Sequence, residues 1–401
     1  CTLSQPSGPD KRPRRDKCRL RVGYVSSDFR EHPVGYIMLH TLEHHSRDRV
    51  EVFVYAINPD NGSPMRNEIE KVAEHFVDIN HMSPRQAAER IRADYVDILV
   101  NLNGYTLTAR NGIFVHQPAP IQVMHQGYAA TMGADYVQYM VADAASAPLS
   151  YVDHFTEKLV LMPHQLLPAN HRHLHGTMSP LHRPLPPRSK YKLPADGFVF
   201  CSFNTPYKLD PVIFGTWLAI LRRVPGSVLW VQASGEVRPL LLAQAAAAGV
   251  QTSRVMFLPW LEDDEHLLAK GLCQLFLDTP NYNAHVTGND VLWAGVPLLT
   301  VPAEKMGGRI ASSLVATLSQ SLADELVVRS YREYEDRAVA LARNQTRWGV
   351  LRKGLLESVQ TSPLFDMQLY VRELERAWYA IWELHAAGAP PQHIHLVPSN
   401  A

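Results

Sequence analysis

At 401 residues, with hydrophobic side chains at 46% and charged ones at 19%, the chain is long enough for two ordinary domains and too apolar to be disordered. Lysine plus arginine balances aspartate plus glutamate at 39 each, which argues against a broadly basic nucleic-acid-binding protein and leaves only local patches for a specific anion. Cys1, Cys18, Cys201 and Cys273 have no C-x-x-C spacing, a pattern suited to a reducing, cytoplasmic setting, and no apolar run reaches the roughly 18 residues of a membrane helix.

Residues 1–18 carry the basic cluster Lys11-Arg-Pro-Arg-Arg15 and read as a linker or the tail of an upstream segment. A β-α-β rhythm then fills a first domain over 19–165. Strands are predicted at Leu20–Val25, Val50–Ala56, Val96–Asn101, Ile121–Met124 and Tyr136–Val141, with helices near Val34–His45 and Arg85–Arg92. Prolines crowd 166–195, which reads as the interdomain connection. A second βα series over 196–365 has strands at Phe198–Phe203, Val228–Val231, Val255–Phe257, Leu275–Leu277 and Leu298–Val301. Its helices are expected from Asp210-Pro211 through Arg223, then at Pro239–Ala247, Asp264–Lys270 and Asn289–Ala294. Over 366–388 an amphipathic helix, apolar along Tyr370, Val371, Leu374, Trp378, Ile381 and Trp382, either crosses to the first domain or caps the second. Residues 389–401 read as a tail. The fold class is α/β: two Rossmann-like parallel-sheet domains facing a cleft.

The chain is organised around Leu275-Phe-Leu-Asp-Thr-Pro-Asn-Tyr-Asn-Ala-His-Val-Thr-Gly-Asn-Asp-Val-Leu-Trp-Ala-Gly-Val-Pro297. A buried strand there leads through a polar turn into a helix, the place where an open α/β sheet binds ligands and where unpaired N–H groups meet phosphate. Gly288 would let the backbone approach an anion. Thr287 and His285 would donate to a diphosphate, and Asp290 would accept from a ribose hydroxyl. An ordinary βα loop with Asp290 at a helix start explains the same spacing equally well.

Lys208, in the exit loop of the second domain's first strand, can supply a cation to a departing diphosphate. His32, in the exit loop of the first domain's first strand, can take or relay a hydroxyl proton. His266 can stack on a flat base. A solvated lysine, an exposed loop histidine and a helix-start surface residue are the bland readings of these three. His171-Arg-His-Leu-His175 tempts a metal reading, but with no cysteine or acidic residue at ligand spacing it reads as a solvated loop.

Several stretches together resemble the catalytic region of protein O-GlcNAc transferases, over residues 19 to 388. They are Arg21-Val-Gly-Tyr-Val-Ser-Ser-Asp-Phe with His32-Pro, Asn101-Leu-Asn-Gly-Tyr-Thr, Pro118-Ala-Pro-Ile-Gln-Val-Met, Tyr207-Lys-Leu-Asp-Pro, Asp278-Thr-Pro, His285-Val-Thr-Gly-Asn-Asp-Val-Leu-Trp-Ala-Gly and Ser362-Pro-Leu-Phe. The resemblance implies a GT-B fold and an inverting, metal-independent transfer with no cofactor. It implies UDP-N-acetylglucosamine as donor and a Ser or Thr hydroxyl of a protein or peptide as acceptor; the charge balance and the lack of a long apolar run leave no nucleic-acid or membrane partner expected. It makes Lys208 the diphosphate contact and His32 the match for a debated catalytic base. Thr205, His266, His285, Thr287, Gly288 and Asp290 become the donor-binding set. Val286 replaces a second threonine of the family's phosphate turn, and Tyr282 stands where animal members have a smaller cysteine. The animal members' long insertion between the lobes is missing. In the family a tetratricopeptide repeat array precedes this region.

Other readings of the same plan are an O-fucosyl or N-glucosyl transferase, a two-domain protein that closes over a nucleotide sugar without catalysis, and a sugar-nucleotide epimerase.

Overall fold

A computed structural model describes residues 19–175 and 183–399. The expected linker with its basic cluster, and Cys1 and Cys18, lie outside the described residues. The chain divides into two compact units, one running to Asn170 and resuming at Asp366, the other spanning His171–Phe365.

The first unit is built on β1 (Leu20–Ser26), β2 (Val50–Ala56), β3 (His75–Asp78), β4 (Ile98–Asn101), β5 (Ile121–Met124), β6 (Tyr139–Asp143) and β7 (Lys158–Met162). Strands β1 and β2 are near-continuous apolar runs buried on both faces, which is what a parallel sheet covered by helices demands. All pairs are parallel, and β3-β2-β1-β4-β5-β6-β7 is the spatial order. Strands β3 and β7 are additions to the elements expected from sequence; β3 is a four-residue, half-buried edge strand, too short and too polar to show a period.

The chain's last long helix, Met367–Ala386, belongs to this unit. Leu374, Trp378 and Ile381 enter the same apolar core as Tyr24 and Met38. Two of its polar side chains find partners near the first strand and the first helix: Trp378 Nε1–H donates to Tyr24 Oη at 3.3 Å, and Glu375 meets His45 Nδ1 at 3.0 Å. Beyond it, Ile394–His395 pairs in parallel with β7, where the sequence shows only a tail, since two residues carry no periodic signal.

The second unit holds β8 (Val199–Ser202), β9 (Val228–Val231), β10 (Val255–Phe257), β11 (Leu275–Leu277) and β12 (Leu298–Leu299), in the order β10-β9-β8-β11-β12 and parallel throughout. The helix Pro211–Arg223 starts as its sequence requires: Asp210 caps Val212 and Ile213 N–H at 2.8 and 3.0 Å, with Pro211 in the first turn. Strand β12 stops at Leu299 because Thr300 turns to a lone bridge with Val327. The helices Ile310–Leu318, Gln320–Leu326, Tyr331–Arg343 and Gln345–Thr361 also add to the sequence reading.

Each sheet reverses its winding once, between β1 and β4 in the first unit and between β8 and β11 in the second. Loops leaving neighbouring strands diverge at such a point and open a crevice at the carboxyl edge.

Candidate functional site

In the second unit the exit loops of β8 and β11 meet through Lys208, whose ammonium donates to the Asn283 carbonyl at 2.7 Å. It also stands 5.0 Å from the centre of the Tyr282 ring. Burial lowers the Lys208 pKa to about 8, against the opposing pull of the Asp278 carboxylate. Lys208 is therefore a cation held at the turn by backbone and aromatic contacts, in a place where extra negative charge is welcome.

Asp278 builds that turn from behind. It is fully buried, with Oδ1 accepting from Ala284 N–H at 2.7 Å and Oδ2 accepting from the Thr300 hydroxyl at 2.7 Å. The Asn204 amide also donates to Oδ1, at 3.2 Å, which joins the β8 exit loop to the β11 turn. Burial raises its pKa to about 6 in spite of these donors. Behind it again, Tyr334 Oη donates to the Asp278 carbonyl at 3.1 Å.

The helix that follows begins at Val286, three residues earlier than the sequence signal at Asn289, and His285 is its cap position. Gly288 and Asn289 N–H both bond the His285 carbonyl, at 2.9 and 3.2 Å. Val286 and Thr287 N–H are left without an acceptor among the described residues. They carry the positive end of the helix toward the turn.

Two expectations change here. Gly288 faces inward: a Cβ on it would meet Leu314 Cδ1 at 2.9 Å and Leu298 Cδ1 at 3.4 Å. The missing side chain lets this helix start pack closely on its neighbours. His285 Nε2 lies 3.0 Å from the Gly307 carbonyl, and since a carbonyl only accepts, Nε2 holds the ring's proton. Burial, and then Lys208, lower its pKa to about 3, so at neutral pH it needs a second proton before it can donate to a diphosphate. Its ring lies 4.6 Å from that of Tyr282.

Asp290 is held from two sides. Lys270 Nζ sits 2.5 Å from Oδ2, and His171 Nε2 sits 2.8 Å from Oδ1. Burial pushes the Asp290 pKa up, but the Lys270 charge and the His171 bond outweigh it and hold the group below the usual carboxylate range. His171 is thus no solvated loop residue. It is 4% exposed and opens a short helix, His171–His175, and its acidic partner lies 119 positions away, where no local spacing shows it. Among the described residues no group of three or more histidine, cysteine or acidic side chains is arranged to hold a metal ion.

His266 lies on the helix Asp263–Lys270, one turn before Lys270. Its ring meets Phe203 edge-on at 6.1 Å. Burial, then Lys270, lower its pKa to about 4, so the ring is neutral and flat-faced at physiological pH. Thr205, in the β8 exit loop, is exposed, and its carbonyl accepts from Lys208 N–H at 3.0 Å.

In the first unit His32 caps the helix Pro33–His44: Nδ1 accepts from Val34 N–H at 3.2 Å. Asp28 Oδ2 is 3.9 Å away, and that carboxylate is itself held by Arg30 at 3.0 Å and the Asn103 amide at 2.9 Å. Burial lowers the His32 pKa, with Asp28 opposing and Arg30 assisting. In the neutral ring Nδ1 is committed as an acceptor, so the proton is on Nε2. Gly35 lets the loop fold onto this helix start, since a Cβ there would meet the Arg30 carbonyl at 2.2 Å.

Lys208, Thr205, His285, Thr287, Asp290 and His266 thus gather at the carboxyl edge of one sheet, and His32 stands at the carboxyl edge of the other. The sequence reading missed Asp278 as the tie between loops, and Lys270 and His171 as the holders of Asp290. Lys270 was within reach of it, because positions 266 and 270 share a helical face.

Comparison with known proteins decides the family. The model for "Glycosyl transferase family 41" matches residues 6–180 and 175–374. The chain belongs to this family. It is 44% identical over 386 residues to a probable UDP-N-acetylglucosamine--peptide N-acetylglucosaminyltransferase of Arabidopsis thaliana, covering 95% of this chain and 39% of that protein. It is 31% identical to the Caenorhabditis elegans protein named as that transferase, covering 94% and 42%. The chain therefore spans about two fifths of the length of these relatives. Among solved structures, a mutant of the Thermobaculum terrenum O-GlcNAc transferase superposes with a TM-score of 0.83 at 29% identity, over 97% of this chain and 71% of that one. An Anabaena protein solved with UDP and glucose matches at a TM-score of 0.56 and 12% identity, over 90% and 100%, a likeness of fold alone. The family's fold is GT-B, and the two parallel-sheet units are its two halves. No helix among the described residues is long and apolar enough to cross a membrane.

Proposed function

We propose that this segment is the catalytic region of an inverting, metal-independent, cytoplasmic glycosyltransferase that moves N-acetylglucosamine from UDP to Ser or Thr hydroxyls of proteins. The observation that carries the reading is the Lys208 ammonium bonded to the Asn283 carbonyl beside the helix start that offers Val286 and Thr287 N–H. As the acceptor oxygen bonds to the sugar's anomeric carbon, the bond to the diphosphate breaks and negative charge grows on the leaving oxygen. A fixed ammonium and helix amides favour that charge more than the ground state. His266 offers a neutral ring face to the uracil, and Asp290 accepts from the ribose. Thr205 and Thr287 add hydroxyls, and Gly288 keeps the helix start seated on its sheet. His285 serves the diphosphate once the ligand's own charge draws a proton onto Nδ1. The relatives' names support the sugar, the nucleotide and the peptide acceptor.

The cap bond to Val34 favours one of two proton routes. Neutral His32 presents Nε2–H, so it orients the acceptor as a donor, and the hydroxyl proton leaves through a water chain.

Incubation with labelled UDP-N-acetylglucosamine and a peptide panel tests the assignment, with Lys208→Ala as control. Labelled peptide is expected from the wild type and not from the variant. No UDP binding by calorimetry would remove the proposal. Parallel reactions with UDP-glucose and GDP-fucose test the sugar, which Tyr282, packed on both Lys208 and His285, will constrain. A protein that merely closes over the nucleotide sugar would return it unchanged.

A further inference from the structure

We propose that Lys270 and His171 are positioning residues for nucleoside recognition: they hold the Asp290 carboxylate in the orientation that accepts from the donor's ribose. The proposal rests on the reading of Asp290 as a ribose contact and assigns roles to two residues which that reading does not include.

Exposure is graded across the trio. The Lys270 and His171 side chains are 3% and 6% exposed, and that of Asp290 is 25% exposed. The cation and the imidazole are therefore behind, and the Asp290 side chain is the part of the trio nearest solvent. Each of its oxygens accepts once from within, Oδ2 from Lys270 and Oδ1 from His171, and each keeps a second lone-pair direction for a ligand. The inner bonds fix the plane of the carboxylate, which a single bond would leave free to turn.

The imidazole is itself locked. Its ring packs against Trp293 at 5.8 Å and edge-on against Phe365 at 5.8 Å. Its Nδ1 is buried without a partner, so its bond to Asp290 is the only hydrogen bond the ring makes among the described residues. A ring this constrained, with one nitrogen left orphaned, is a costly way to gain stability, because an apolar side chain would fill the space without stranding a polar atom. A buried ion pair is likewise often no better for stability than apolar packing. Both costs are understandable if the orientation of Asp290 is what is gained.

Lys270 also sets register. It stands four residues after His266 on one helix, so the ring offered to the base and the ammonium behind the ribose contact share a helical face. Base and ribose recognition are joined by one turn of helix.

The test compares UDP with 2′-deoxy-UDP and 3′-deoxy-UDP by calorimetry, for the wild type, Asp290→Asn, Lys270→Met and His171→Gln, with thermal unfolding of each. The wild type is expected to prefer UDP over at least one deoxy analogue by about tenfold, the scale of one hydrogen bond to a charged group. In Lys270→Met the preference should fall below about threefold while affinity for that analogue barely moves, since only the hydroxyl contact is lost. His171→Gln keeps the ion pair and should give an intermediate preference; it decides the matter alone should Lys270→Met fail to fold. A purely structural role predicts lower unfolding temperatures with the wild-type preference intact in both variants, and that result overturns the proposal. Should Asp290→Asn keep the full preference, the ribose reading itself fails, and the positioning role fails with it, whatever the other variants do.

Discussion

The Lys208 ammonium donates to the Asn283 carbonyl across 2.7 Å, joining the exit loops of β8 and β11 at one charged point. That bond decides how the lysine can be replaced. In Lys208→Ala the turn loses both its cation and a tie to the preceding loop, and kcat should fall by about 10²- to 10³-fold, the range for removing one transition-state donor. Lys208→Arg should recover little, because a planar fork cannot occupy the place of a compact ammonium beside the Tyr282 ring. Single-turnover kinetics on both variants provide the check.

The lowered Lys208 pKa of about 8 sets a pH dependence. Without ligand the lysine loses its proton as pH rises through that value, and an arriving diphosphate raises the pKa again. UDP binding at pH 8.5 should therefore take up protons, and affinity should weaken above pH 8 by up to about tenfold per unit. Near pH 6.5 Lys208 is already charged, and any uptake there is a second process, shared by His285, whose pKa starts at about 3, and Asp278, whose pKa stands at about 6. Calorimetry in buffers of different ionisation enthalpy separates the two. Absence of uptake at pH 8.5 would mean that Lys208 does not meet the diphosphate.

His32 allows a paired substitution. His32→Asn keeps an oxygen that can cap Val34 N–H but lacks the reach of Nε2; His32→Gln keeps a donor near Nε2 and loses the cap, at about 1 kcal/mol of stability. With Nε2–H as a donor, the glutamine variant should retain more kcat than the asparagine variant, with the acidic limb of its kcat/KM profile unchanged. If His32 were the base, both would drop about 10²- to 10⁴-fold and the limb would vanish. Asp28 and Arg30, the charged groups beside the ring, stay in place in both.

Gly288→Ala separates packing from anion approach. The added methyl meets Leu314 and Leu298, so we expect a loss of about 1–3 kcal/mol of stability from overpacking. UDP affinity of the folded protein should change little. A large loss of affinity with unchanged thermal stability would restore the sequence-based role.

Where one signal is local, the sequence is legible. The runs Val50–Ala56, Ile121–Met124, Val228–Val231 and Leu275–Leu277 declare parallel strands, because both their faces are buried and, Glu51 and Gln122 apart, their residues are apolar. The Asp210-Pro211 pair declares a helix start, because a carboxylate cap and a residue without an N–H suit the first turn of a helix. The same holds for the passage from Leu275–Leu277 through a polar turn into the helix Val286–Trp293, which marks the carboxyl edge of the sheet.

What the turn's side chains do there is not local. The chain by itself determined the two parallel-sheet units and pointed to Lys208, His266, His285, Thr287 and Asp290 as candidates at strand exits and helix starts. Only the tertiary structure decided that His285 spends its proton on Gly307, that Gly288 faces Leu314, and that Asp290 is gripped by Lys270 and by His171 from 119 positions away. The reason is physical: strand and helix periods are written in neighbouring residues, whereas a tautomer, a rotamer or a carboxylate's partner is fixed by whichever distant atoms folding brings within about 3 Å.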